Sequence, residues 1–281
     1  LQGDWSSDVC SSDLRKSGPV CTLNRTILSQ HQYILSTEEY LGEEKVDERA
    51  LLSRERVLRR RLAQLSEKIP SVYENELGQI GMFPCQKGIQ TRKAVIKEIL
   101  DCEYGLLECS LLRDAGKEKW PEKEGKTFLK IWSGQRLDEE EKDGPYRVYG
   151  AAGVQGSART ATMKEEQAIL IGRVGSYCGA VYKAWTKGFV SDNVMLAGAV
   201  ENEAEEDFLL LVLRAAHFNA EKRGSVQPYI TKDIVLKRKY YLPELVRQQK
   251  FLSENQEMFE KIREQEKEVE ELSVESDRLR S

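Results

Sequence analysis

Histidine is almost missing from this chain: only His31 and His217 occur in 281 residues. An imidazole-rich metal centre has little to draw on, and neither histidine stands beside a thiol it would activate. The six cysteines, Cys10, Cys21, Cys85, Cys102, Cys109 and Cys178, form no C-x-x-C pair. Cys102 and Cys109 are spaced for one helix face rather than for a metal site, so reduced thiols and a cytoplasmic location are expected. No apolar run approaches the ~18 residues of a membrane span, and no signal-peptide core opens the chain. Net charge is only -4, so no global basic character announces nucleic acid, although an average conceals local faces.

Catalytic patterns are equally scarce. There is no serine nucleophile elbow, no H-E-x-x-H, no acidic pair followed by Glu-x-Lys, and no Asp/Asn-Pro-Pro-Tyr grip for a flipped base. Three glycines, Gly172, Gly175 and Gly179, lie in "ILIGRVGSYCGAVYKAWTKGFVSDNVML" and raise the question of a phosphate cradle. A Walker loop needs Gly-Lys-Ser/Thr at the start of a helix, but Gly179 is followed by Ala180 and Val181. A dinucleotide fingerprint needs G-x-G-x-x-G before a helix, whereas "AVYKAW" reads as a strand. The glycines therefore read as turn-makers in a β-rich domain. No catalytic residue, metal or cofactor is expected.

What is present is charge, at 32% of residues, and hydrophobic periodicity of two kinds. "DWSSDVCSSDL", Asp4 to Leu14, resembles one reading frame of a common sequencing adapter, so residues 1–29 are read as a disordered or artefactual leader and left out of fold reasoning. Residues 30–116 read as helical. Leu51, Leu52, Leu58, Leu62, Leu65 and Ile69 make one stripe, with Arg54, Arg56, Arg59, Arg60 and Arg61 crowding the rest. Such a basic face can touch phosphates, or simply be solvated and paired with acids. A second helical segment, Thr91 to Ala115, is expected to break at Gly105. The polar stretch "GKEKWPEKEGKT" is the preferred domain boundary.

Residues 117–243 shift to strand-like text: "TFLKIWSGQRL", Tyr146 to Tyr149, "AILIG", "GAVYKAW", "FVSDNVML" and "SVQPYITKDIVLKRKYYLP". A helix is expected over Glu205 to Glu221. Residues 244–281 read as one long helix. Leu245, Leu252, Phe259, Ile262, Val269, Leu272 and Leu279 recur there at coiled-coil spacing, which calls for a partner helix. Basic residues of the strand region, among them Arg159, Arg173, Lys183, Lys187 and Arg223, fit DNA-backbone contacts. Gln155, Ser176, Tyr177, Gln227 and Tyr229 on intervening loops fit base readout.

The ordered set "IWSGQRL…GPYRVYGAAGVQGSA…ILIGRVGSYCGAVYKAWTKGFVSDNVML…GSVQPYITKDIVLKRKYYLPELVRQQKFL" resembles a target-recognition domain of a type I restriction–modification specificity subunit. It covers about Trp120 to Ser281. The resemblance implies an α+β chain, with a mixed α/β recognition domain followed by a long coiled-coil spacer helix. It also implies binding of double-stranded DNA at one half of a split target, and docking to methyltransferase and restriction subunits. A second recognition domain, or a homodimer through the spacer helix, would complete the target. The chain departs from the family pattern in carrying one recognition domain, and so reads as a half-subunit or a truncated form. "QYILSTEEYLGEE" and the helix after it resemble the C-terminal tail of the partner adenine-methyltransferase subunit. Competing readings are a coiled-coil scaffold whose head binds protein, and a truncated adenine-specific DNA methyltransferase.

Overall fold

A computed structural model describes residues 48–75, 83–221 and 228–278. The leader and the methyltransferase-like motif at residues 32–44 lie outside the described residues. Helix α1 (Glu48–Asn75) uses Leu51 and Leu58 to pack on Val95, Ile99, Cys102 and Cys109 of α2 (Phe83–Glu118). Gly105 does not break α2. A Cβ there would come within 3.2 Å of Leu51 Cδ1, so the missing side chain lets α1 approach closely. The opposite face of α2, Ile96, Leu100, Tyr104, Leu107, Leu111 and Ala115, enters the main core. A helix covered on two sides is apolar on two sides.

The β-region forms two packed layers. Strands β2 (Leu129–Ser133), β5 (Ala168–Gly172), β6 (Val181–Ala184) and β8 (Val194–Ala199) make an antiparallel sheet in the order β2-β8-β5-β6. Alternation along β5 is clean. Ile169 and Ile171 face the helices, whereas Leu170 faces Tyr149, Val190 and Val194. On that second side lie β3 (Lys142–Gly150), β4 (Gly153–Ala158) and β7 (Gly188–Val190), in the order β4-β3-β7 with β3 and β7 parallel. A third pair joins β1 (Glu122–Glu124) to β9 (Lys239–Tyr241). The α+β expectation holds.

Several boundaries differ from the sequence reading. The helix expected over 205–221 is α3 (Glu206–Arg214), followed by a 3-10 turn at Phe218–Glu221. "TKDIVLKRKYY" is helix α4 (Lys232–Lys237) before three residues of strand. The polar connector hides an anchor: the Trp120 ring lies 5.9 Å from that of Phe208 and 6.3 Å from that of Phe251. One core thus crosses from α2 into the sheet, so α2 is not packed separately from the β-region.

The final helix is two helices, α5 (Leu245–Glu254) and α6 (Gln256–Arg278). Asn255 interrupts them, its amide Nδ2 donating to the Phe251 carbonyl at 2.9 Å. α6 lies antiparallel against α2, as Arg92–Glu268, Gln265–Glu103 and, from α5, Arg247–Asp114 define. Phe259 and Ile262 are buried in the main core, with Leu252, Val269 and Leu272 packed on it and Leu245 half-buried. Leu279 lies outside the described residues. The described part of this seam therefore packs on the main core of the same chain, to which α2 contributes Ile96, Leu100, Tyr104 and Leu107. An apolar stripe specifies a cover without specifying which helix supplies it.

Candidate nucleic-acid interface

The glycine-rich stretch closes on itself. Gly172 N–H donates to Ala180 O and Gly179 N–H returns to Gly172 O, each at 2.8 Å, so residues 172–180 form a loop at the end of β5 and β6. Gly175 and Gly179 take φ of +80° and +87°, a region closed to most side chains. At Gly179 a Cβ would also stand 2.4 Å from the Asn219 nitrogen. The turn-making reading holds.

This loop is stitched to its neighbours by backbone hydrogen bonds. Gly175 N–H donates to Pro228 O at 2.9 Å, Ile230 N–H to Arg173 O at 2.9 Å, and Arg173 N–H to Asn193 O at 2.8 Å. On the other side, Gly134 N–H donates to Val194 O and Gln135 N–H to Val190 O, both at 2.9 Å. Four segments, around Gln135, Asn193, Arg173 and Tyr229, therefore make one ridge at one end of the sandwich. Arg173, Ser176, Tyr177 and Tyr229 are exposed on it, so four of the ten residues assigned to DNA are brought together. Gln135, Arg136, Asp192 and Asn193 are exposed beside them, as is Trp132, with 51% of its surface open above Gly198. Trp132 reads in the sequence as an apolar residue of strand β2, and Gln135 and Arg136 follow that strand without a periodic mark, so none of the three stands out as a DNA contact. The Ser-Gly-Gln turn itself was the available signal.

The remaining assignments divide. Gln155 is exposed but lies over β3, where a Cβ on Gly150 would come within 2.2 Å of its amide group. Arg159 donates to Lys142 O at 3.2 Å, and the half-buried Lys187 precedes Gly188, which pairs with Arg147. Both sit at the far end of β3 from the ridge. Arg223 and Gln227 lie outside the described residues. Lys183 is a correction. It is 6% exposed, bonded to Asp207 at 3.0 Å and Glu206 at 3.2 Å, with its ammonium 4.6 Å from the Trp185 ring centre. Its position on β6 points it toward α3, where its charge is neutralised internally.

At the opposite end of β6 from the ridge, two carboxylates of α6 reach into the sandwich. Glu270 accepts from the Tyr149 hydroxyl, the Thr186 hydroxyl at 2.8 Å and the Trp185 backbone N–H at 3.1 Å, and pairs with Arg147. Glu266 accepts from the Tyr104 hydroxyl at 2.8 Å and the Trp185 indole N–H at 3.1 Å. Burial pushes its pKa up to about 7, against the pull of nearby Arg214. These groups fix α6 to both layers. Among the described residues no cluster of His, Cys, Asp or Glu could hold a metal ion, and no helix is long and apolar enough to cross a membrane.

No family model matches the sequence, and no curated protein matches it significantly. Solved structures do match. The S subunit of a type I restriction–modification system from M. genitalium superposes with a TM-score of 0.50 at 15% identity, over 81% of this chain and 59% of that one. The fold is that of a type I S subunit. A match over 81% of the chain cannot be confined to the residues after Trp120, so the S-subunit likeness takes in the helical segment before it. The HsdS subunit from Thermoanaerobacter tengcongensis matches with a TM-score of 0.43 at 13% identity, over 70% of this chain and 55% of that one. The chain thus spans less than two thirds of the S subunits it resembles.

Proposed function

We propose that this chain is a DNA sequence-specificity protein of a type I restriction–modification system, without catalytic activity of its own. It binds double-stranded DNA at one half of a split target and docks methyltransferase and restriction subunits. The observation that carries the reading is the ridge: rigid backbone presenting Arg173 and Arg136 beside Tyr177, Tyr229 and polar loop residues, on an S-subunit fold. Arginines of this kind hold phosphates, and short polar side chains between them meet base edges. The test is fluorescence anisotropy with labelled duplexes across a salt series. Arg173→Ala should weaken binding and lower the log–log salt slope by about one, the signature of one lost phosphate contact. An unchanged affinity and slope would remove Arg173 from the interface.

One observation favours a protein-binding role without DNA specificity. The outer face of α1 exposes Leu52 and Val57 among Arg56, Arg60 and Arg61. Duplex binding at physiological salt decides between the two readings, because a scaffold with no DNA role gives none above the charge background.

A further inference from the structure

Within the ridge, Gln135 and Asn193 differ from their neighbours in kind. Both are exposed, and among the described residues neither carboxamide has a hydrogen-bond partner in the chain. Yet the backbone beneath them is held tightly. Gln135 N–H donates to Val190 O, Gln135 bridges Ser191, and the Asn193 carbonyl accepts from Arg173. The turn between them is closed by Val194 N–H donating to Ser191 O at 3.1 Å. Gly134 completes the clamp: a Cβ there would stand 1.9 Å from the Ser191 oxygen, so only glycine lets the two loops meet. Two solvent-facing amides thus project from backbone pinned by these hydrogen bonds, flanked by Arg136 and Arg173. A flexible basic chain suits a phosphate, whereas a short amide on rigid backbone suits a pattern that must be matched in register.

An amide offers one acceptor and one donor side by side. The adenine edge in the major groove presents the complement, the N6–H donor beside the N7 acceptor. The minor groove of the same base pair shows acceptors only. We propose that Gln135 and Asn193 are specificity-determining residues of this chain, their carboxamides taking adenine edges in the major groove through N6–H and N7. The proposal rests on the DNA reading above and adds the base to it.

The experiment starts from the purified full chain and a randomised duplex library, with selection and sequencing of the bound fraction. Wild type should select at least two invariant A·T positions, one for each amide. Replacing either pair by G·C, or either adenine by 7-deazaadenine, which lacks the N7 acceptor, should weaken wild type by about tenfold or more. Gln135→Ala and Asn193→Ala should each lose discrimination at their own position while melting at the wild-type temperature. A selected motif that both variants read with undiminished discrimination overturns the proposal and leaves the DNA reading standing. Duplex binding with no motif, or a motif with fewer than two A·T positions, does the same. No duplex binding at all overturns the DNA reading, and the proposal with it.

Discussion

Glu266 places a pH-dependent stability term where α6 meets the sandwich, and Glu266→Gln isolates it. Burial raises its pKa from the ordinary 4.5 to about 7, despite Arg214 and Lys183 nearby. An acid whose folded pKa is raised holds its proton more tightly folded than unfolded. Its contribution to stability is fully present below about pH 4.5 and is lost as pH climbs through 7. The gap between those values corresponds to about 3 kcal/mol. Glutamine keeps the shape and stays neutral. Its oxygen can accept the Trp185 indole N–H, while its amide donates to the Tyr104 hydroxyl, which rotates to accept. Urea unfolding of both proteins at intervals between about pH 4.5 and 7.5 reads the effect, since other titrating groups cancel in the difference. Variant stability minus wild-type stability should grow by ~3 kcal/mol across that range. A flat difference, or one that shrinks with pH, would refute the burial argument.

Phe251→Ala tests whether α5 belongs to the main core. The ring is fully buried and its centre lies 5.6 Å from that of Phe208, so the substitution should cost about 3–5 kcal/mol by denaturant titration. A loss below ~1 kcal/mol would mean the site collapses around the gap or that α5 is not docked. Lys183→Met keeps the apolar stem and removes the charge. It should leave duplex affinity and its salt slope at wild-type values, because the ammonium faces Asp207 and Glu206; a shallower slope would return Lys183 to the interface.

Much of the architecture was legible in the residues. The strands around Ile169–Ile171 and Val194–Ala197 read as short unbroken apolar runs because each side of the sheet meets a different buried layer. The ridge was half legible. Arg173, Ser176, Tyr177 and Tyr229 carry loop and charge signals, whereas Gln135 and Arg136 join them only through pairing between distant segments, which one-dimensional text does not contain. Lys183 misled for the same reason: a lysine's charge is visible in sequence, but the two acids that meet it lie on another element. Gly105 was read as a breaker because propensity is local, and packing against Leu51 overrode it. The coiled-coil pattern marked an apolar edge correctly and left its covering helix to be found.

The carboxylate of Glu270 has a bearing on how the chain is made. It completes the hydrogen bonding of Tyr149, 121 residues earlier, and of the Trp185 backbone, 85 residues earlier. At ~5–20 residues per second of translation, Tyr149 therefore waits roughly 6 to 24 s for its partner. Until α6 leaves the ribosome, the Trp185 backbone N–H lacks its carboxylate acceptor and the Tyr149 hydroxyl has only Thr186 to bond, so the sandwich is finished last, from its far end. A stop codon just after α5 would yield a nascent domain held open at its seam, a substrate for chaperones and proteases.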